Sequence, residues 1–194
     1  EEEHAEDMLS LGGVREDDFY DAVIDTTRAR FSWLLVNLAT AILASLVIGL
    51  FGAAIEKVVA LAILMPIVAS MGGNAGTQTL TVAVRALALK ELTPANAMRI
   101  VGKEILVGGI NGIIFAVLMG LIAWFWFDNM VIGIVLAAAM IINLLVAGFA
   151  GTIVPLTLDR LKIDPAIASA VVLTTVTDVI GFLSFLGLAS IVLL

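Results

Sequence analysis

The stretch VVALAILMPIVASMGGNAGTQTLTVAV, residues 58–84, runs for 27 residues without a charge. A helix of roughly 20 apolar residues crosses a bilayer, so this run can span one. Its second half, MGGNAGTQT (71–79), nevertheless carries three glycines, an asparagine, a glutamine and two threonines. A membrane helix with such a half must bury those groups in protein or turn them to a wet cavity.

Four more runs resemble it in length. Residues 33–55 and 105–127 each give 23 uncharged positions, 129–158 gives 30, and 165–194 gives 30 with the single charge of Asp178. The 194-residue chain is 61% hydrophobic and 14% charged, whereas a soluble domain is about half apolar and a quarter charged. Only helices and closed barrels satisfy their backbones in lipid. The runs lack the ten-residue alternation of barrel strands. The expected fold is an all-α membrane protein with five transmembrane helices in residues 31–194. Residues 1–30, with ten acidic residues and three arginines, read as a cytoplasmic connecting segment. The chain begins without an initiator Met or a signal-peptide pattern, which suggests a piece of a longer protein.

Basic residues orient the spans. Arg15, Arg28 and Arg30 precede the first run, and Lys57 alone lies between the first and second. Arg85, Lys90, Arg99 and Lys103 lie between the second and third, and Arg160 and Lys162 between the fourth and fifth. With the N-terminus inside, nine of the ten basic residues are cytoplasmic, as the positive-inside rule requires. The C-terminus is then extracytoplasmic, and the location is the inner (plasma) membrane. Trp33, Trp124 and Trp126 fit interfacial anchors. Small residues at spacing four, Ala41, Ser45, Gly49 and Ala53 in the first run and Gly108, Gly112, Ala116 and Gly120 in the third, predict close helix packing.

With no cysteine and one histidine, His4, in the acidic tail, thiolate and imidazole metal sites are excluded and any metal must be held by oxygen. In the second run, Pro66 removes a backbone donor, and Gly72, Gly73 and Gly76 are expected to loosen the helix and free carbonyls. Asn74 and Gln78 fall on one helical face, with Thr77 and Thr81 beside them. The plain alternative is a packing site whose amides bond to neighbouring helices.

The second polar place is TTVTDVIG (174–181). Asp178 lies about 20 Å of helix beyond Pro165, near the bilayer midplane. A carboxylate there costs on the order of 3 kcal/mol to insert and ordinarily marks an ion or proton path. Its plain alternative is a structural aspartate, bonded to a neighbour or protonated. Thr174 shares its face, and Thr175 and Thr177 add hydroxyls. Carboxylate, amide, hydroxyl and carbonyl groups suit Mg²⁺ or Ca²⁺ rather than a soft metal. One carboxylate is a weak site, but a twofold dimer brings two to one axis.

PIVASMGGNAGTQTLTVAVRALAL (66–89) resembles the second-helix signature of the MgtE family of Mg²⁺ channels. LKIDPAIASAVVLTTVTDVIGFLSFLGLA (161–189) resembles that family's last helix, and five spans in this orientation agree. The resemblance covers the whole chain. It implies a homodimeric Mg²⁺ channel with its pore at the dimer interface, lined by the second and fifth spans. It also implies that Asp178 binds hydrated Mg²⁺, with Gly73, Asn74 and their neighbours Thr77, Gln78 and Thr174 contributing. Thr77 departs from the asparagine expected in many members. The resemblance also implies that the full-length chain carries cytoplasmic Mg²⁺-sensing domains outside these 194 residues. Mg²⁺ bridging Asp21, Asp25 and Asp164 would then hold the pore shut, although Asp164 also fits an N-cap before Pro165.

The residues do not separate Mg²⁺ from Mn²⁺, Co²⁺ or Ca²⁺. No phosphate-binding loop is present to supply energy, and no nucleic-acid partner is expected. The chain is not expected to be an enzyme. The alternatives are a Na⁺- or H⁺-coupled divalent cation exchanger using Asp178 as its coupling site and, more remotely, an intramembrane aspartyl hydrolase or a structural anchor.

Overall fold

A computed structural model describes residues 9, 11–14, 22–93 and 95–193. The described residues form six helices: α1 (Val23–Gly49), α2 (Gly52–Lys57), α3 (Ala60–Ala88), α4 (Ala97–Phe127), α5 (Met130–Arg160) and α6 (Pro165–Leu193). All but α2 are long and apolar enough to cross a membrane. The protein is thus an all-α, multi-pass membrane protein with five candidate spans.

Helix ends follow local chemistry. The Asn129 side chain caps α5 by accepting from the Val131 and Ile132 amides, which satisfies two otherwise orphaned donors. Asp164 caps α6 by accepting from the Ala166 amide at 2.9 Å, with Pro165 at the first helical position where its missing donor costs nothing. The α3–α4 turn is tied by Asn96, whose side chain accepts from the Thr93 amide and donates to the Glu91 carbonyl.

Helix α5 is the hub, packing on α3, α4 and α6, while α1 rests on α6 and α3 barely meets α4. One core, near Lys57, gathers Leu61, Leu64, Val68, Leu136, Phe185 and Leu186. A second, at the opposite end of α3, gathers Leu80, Val84, Ala150, Ala166 and Leu173, with Leu11 against it. Nearby, Gly13 takes a left-handed φ of +68° beneath the Trp33 ring, a conformation and closeness that suit a residue without Cβ.

The small-residue face of α4 packs as expected. A Cβ on Gly108 would collide with the Leu144 carbonyl, on Gly112 it would lie 3.2 Å from Ile141 Cα, and on Gly120 3.1 Å from the Gly133 carbonyl. The face expected on the first span does not pack against the rest of the chain. Ala41, Ser45 and Gly49 are exposed and Gly49 has open space beside it. The reason is that α1 meets the bundle with a different face, through Ala44 and Ile48. The first span also ends earlier than its uncharged run, because the chain turns at Leu50–Phe51 and Ala53 belongs to α2.

The loosened second span is corrected too. Helix α3 runs unbroken from Ala60 to Ala88 through Pro66 and all three glycines. Gly72 lies against the Asn143 side chain and Gly76 against Leu173, while Gly73 faces the Thr177 hydroxyl. Neighbouring side chains fill the glycine notches, so the glycines permit close approach instead of unwinding the helix.

Candidate functional site

The glycine notches set the register between α3 and α6. A Cβ on Gly76 would meet Leu173 at 3.0 Å, on Gly73 the Thr177 hydroxyl at 4.0 Å, and on Gly181 the Ala69 Cα at 3.6 Å. As the α3 number falls the α6 number rises, so the helices are antiparallel, with Asp178 at the height of Gly72 and Gly73. Asn74 is then within about 3 Å of that height along the axis.

Facing outward from this seam is a polar surface. On α3, Ser70, Asn74, Thr77 and Thr81 are exposed at spacings of three and four, which places them on one face. On α6, Thr174 is exposed and Asp178, four residues on, is half-buried. The expected residues Gly73, Asn74, Thr77, Thr174 and Asp178 are therefore brought together. Thr177 is buried, donating to carbonyls of its own helix.

The hydroxyls on this surface share one arrangement. Thr77 donates to the Gly73 carbonyl, Thr81 to the Thr77 carbonyl and Thr174 to the Ala170 carbonyl, each at 2.8 Å. A hydroxyl that donates backwards keeps its lone pairs as acceptors. Asn74, which is exposed, donates to the Ser70 hydroxyl at 3.4 Å, which leaves its carbonyl oxygen free as another acceptor. Asp178 has no hydrogen bond or ion pair among the described residues. The surface therefore presents acceptors and one carboxylate, a set that matches the protons on water bound to a cation.

The other expected residues lie elsewhere. Gln78 lines a separate cavity between α3 and α4. Asp25 is exposed in the first turn of α1, Asp164 is the α6 cap, and Asp21 lies outside the described residues. Two residues went unassigned in the sequence. Asn143 is fully buried behind the seam, donating to the Val68 carbonyl at 2.8 Å with its own oxygen unpartnered. It is a lone carboxamide deep inside the uncharged run 129–158, which was the available signal. Glu104 accepts from the Thr79 hydroxyl at 3.1 Å.

A family model described as a divalent cation transporter, MgtE, matches residues 65–188, from early in α3 to late in α6. The magnesium transporter MgtE of Bacillus subtilis (strain 168) is 35% identical over 161 residues, 83% of this chain and 36% of that protein. The magnesium transporter MgtE of Enterococcus faecalis is 30% identical over 190 residues, 98% of this chain and 42% of that protein. That of Thermus thermophilus is 30% identical over 197 residues, 100% of this chain and 43% of that protein. The chain thus spans about two fifths of the length of these curated relatives.

Proposed function

The chain belongs to the MgtE family of divalent cation transporters, and on that premise we propose that it forms a homodimeric channel passing hydrated Mg²⁺ into the cytoplasm. The carrying observation is the outward polar surface of α3 and α6. It stands on a bundle whose other outer faces are mainly apolar, and Asp178 sits in it without a partner among the described residues. Lipid penalises such a surface. A second copy facing it across a twofold axis would enclose the surface and bring two Asp178 carboxylates to one pathway.

Mg²⁺ sheds water reluctantly. Acceptor hydroxyls and amide oxygens hold its water shell, while the carboxylates balance its charge without binding it so tightly that it cannot leave. An inside-negative potential supplies about 4.6 kcal/mol per divalent ion at 100 mV, enough for passive entry. The basic-residue asymmetry supports an N-terminus in the cytoplasm of a cell with this protein in its plasma membrane. Cytoplasmic Mg²⁺ drawn to Asp25 and Asp164 would be the closing influence. The relatives are named as magnesium transporters, which favours ion passage over the hydrolase alternative.

The test is Mg²⁺ uptake into proteoliposomes under an imposed inside-negative potential. Wild type should conduct without a Na⁺ or H⁺ gradient, and Asp178→Ala should lose flux by about tenfold or more. Uptake that requires a Na⁺ or pH gradient would establish an exchanger instead. Normal conduction by Asp178→Ala would remove Asp178 from the pathway.

A further inference from the structure

On the flank of α3 turned away from Thr77 and Thr81 lies a cavity of about 150 Å³ between α3, α4 and α5. Its polar lining is Gln78 and Thr79 from α3 with Glu104 and Asn111 from α4. Gly108 and Gly148 floor it where α4 and α5 come closest, since a Cβ on Gly148 would collide with the Glu104 carbonyl. The Glu104 side chain is only 15% exposed, whereas its neighbour Lys103, 3.9 Å away, is 73% exposed. The lysine therefore belongs to the solvent side and neutralises Glu104 weakly. One Glu104 oxygen accepts from Thr79. Neither Gln78 nor Asn111 has a hydrogen bond among the described residues.

Glu104 is largely shielded while Gln78 and Asn111 are exposed at the mouth of the cavity, and within a membrane-spanning bundle such unpaired polar groups are costly unless something polar occupies the space between them. The donors are all hard oxygens, which excludes soft metals. They hold one formal negative charge, which balances one positive charge. Mg²⁺ demands near-ideal octahedral geometry with several waters, and carboxamides on two separate helices do not impose it. We propose that this cavity binds a small monovalent cation. Glu104 supplies the charge, Gln78 and Asn111 supply carboxamide oxygens, and the Thr79 hydroxyl orients the carboxylate. The ion ties α4 to α3 where the two helices scarcely touch, so it braces one flank of the helix whose outward face carries Asn74 and Thr77.

The experiment is equilibrium binding of radiolabelled Na⁺ to the purified chain in lipid nanodiscs, with choline holding ionic strength constant. Wild type should bind Na⁺ saturably. Glu104→Gln keeps an acceptor for Thr79 and should weaken binding about tenfold or more, and Asn111→Leu should weaken it several-fold. Asp178→Asn should bind as wild type does, which separates this site from the proposed pore whatever becomes of the flux assay. Helicity by circular dichroism and a monodisperse elution profile establish that each variant is folded. Wild-type binding by folded Glu104→Gln, loss of binding in Asp178→Asn instead, or competitive displacement of Na⁺ by equimolar Mg²⁺ would each overturn the assignment.

Discussion

Asn143 sets how closely three helices approach. Its amide lies in the notch of Gly72 on α3 and beside Gly181 on α6, and it donates to the Val68 carbonyl. Hydrogen bonds between membrane helices average only about 0.6 kcal/mol, so the fit of the planar amide between two glycines matters as much as its bond. Asn143→Ala should cost about 1–3 kcal/mol from the lost bond and the void. Gly72→Ala should cost a similar ~1–3 kcal/mol, because its methyl displaces the amide. The two changes contend for one volume, so the double variant should fall short of the sum by about 1 kcal/mol or more. Reversible unfolding by steric trapping in bicelles reads all three, and additive costs would show that the residues do not compete. Asp178 is the opposite case. It has no described partner, so Asp178→Ala should be at least as stable as wild type in that assay, since it removes a carboxylate that costs on the order of 3 kcal/mol to insert. A destabilised Asp178→Ala would instead mark a structural aspartate.

Helices α4 and α5 meet through glycines, and a single helix offers both a test and its control. A Cβ on Gly108 would collide with the Leu144 backbone carbonyl, whereas Gly102, six residues earlier on α4, has nothing within 4 Å. Gly108→Ala should therefore destabilise by about 1–3 kcal/mol by forcing the backbones apart. Gly102→Ala should be neutral or stabilise by up to about 1 kcal/mol through helix propensity alone. Thermal unfolding of the two variants in the same detergent decides it, and equal effects would mean that glycine is not setting the α4–α5 distance. The spacing of Gly108, Gly112, Ala116 and Gly120 was legible because small residues recur on one face. The same spacing in Ala41, Ser45 and Gly49 gave no sign that α1 turns this face away from its own bundle, since sequence spacing marks a face but not its neighbour. Counting charges located all five spans and the ends of the last two, yet misplaced both ends of the first and the start of the third. Helix α4 starts at Ala97 and passes through Arg99, Lys103 and Glu104, because backbone hydrogen bonds continue wherever side chains can reach water. The break at Leu50–Phe51 is apolar and left no charge to count.

Across the whole molecule, what could be read in the sequence was polarity out of place. Asp178, Asn74 and the threonines stand out in apolar runs, and the fold assembles them along one seam. Glu104 did not stand out, because it directly follows Lys103 and looks like the end of a loop until α3 and α4 enclose it. Nor could sequence foresee that Gln78, on the same helical face as Asn74, would line the cavity toward α4. In the proposed channel the seam is only half of the pathway: it lies on the outside of the bundle, so its function depends on what faces it. A second copy makes a geometric demand that lipid does not. Residues on the seam must approach their own counterparts across the twofold axis, and residues on the far side must not. The chain contains no cysteine, so single introduced thiols report these distances without background. Thr81→Cys and Thr174→Cys, on the exposed polar stripes of α3 and α6, should form disulfide-linked dimers under mild oxidation in native membranes. Ile114→Cys, 56% exposed on α4 before substitution, should remain monomeric. A water-soluble thiol reagent should also reach Thr81→Cys and block Mg²⁺ uptake, because a hydrated ion needs the same aqueous path. Dimers formed through Ile114→Cys alone would place the partner on α4, leave the α3–α6 seam facing lipid, and remove the pore from the position its polar groups define.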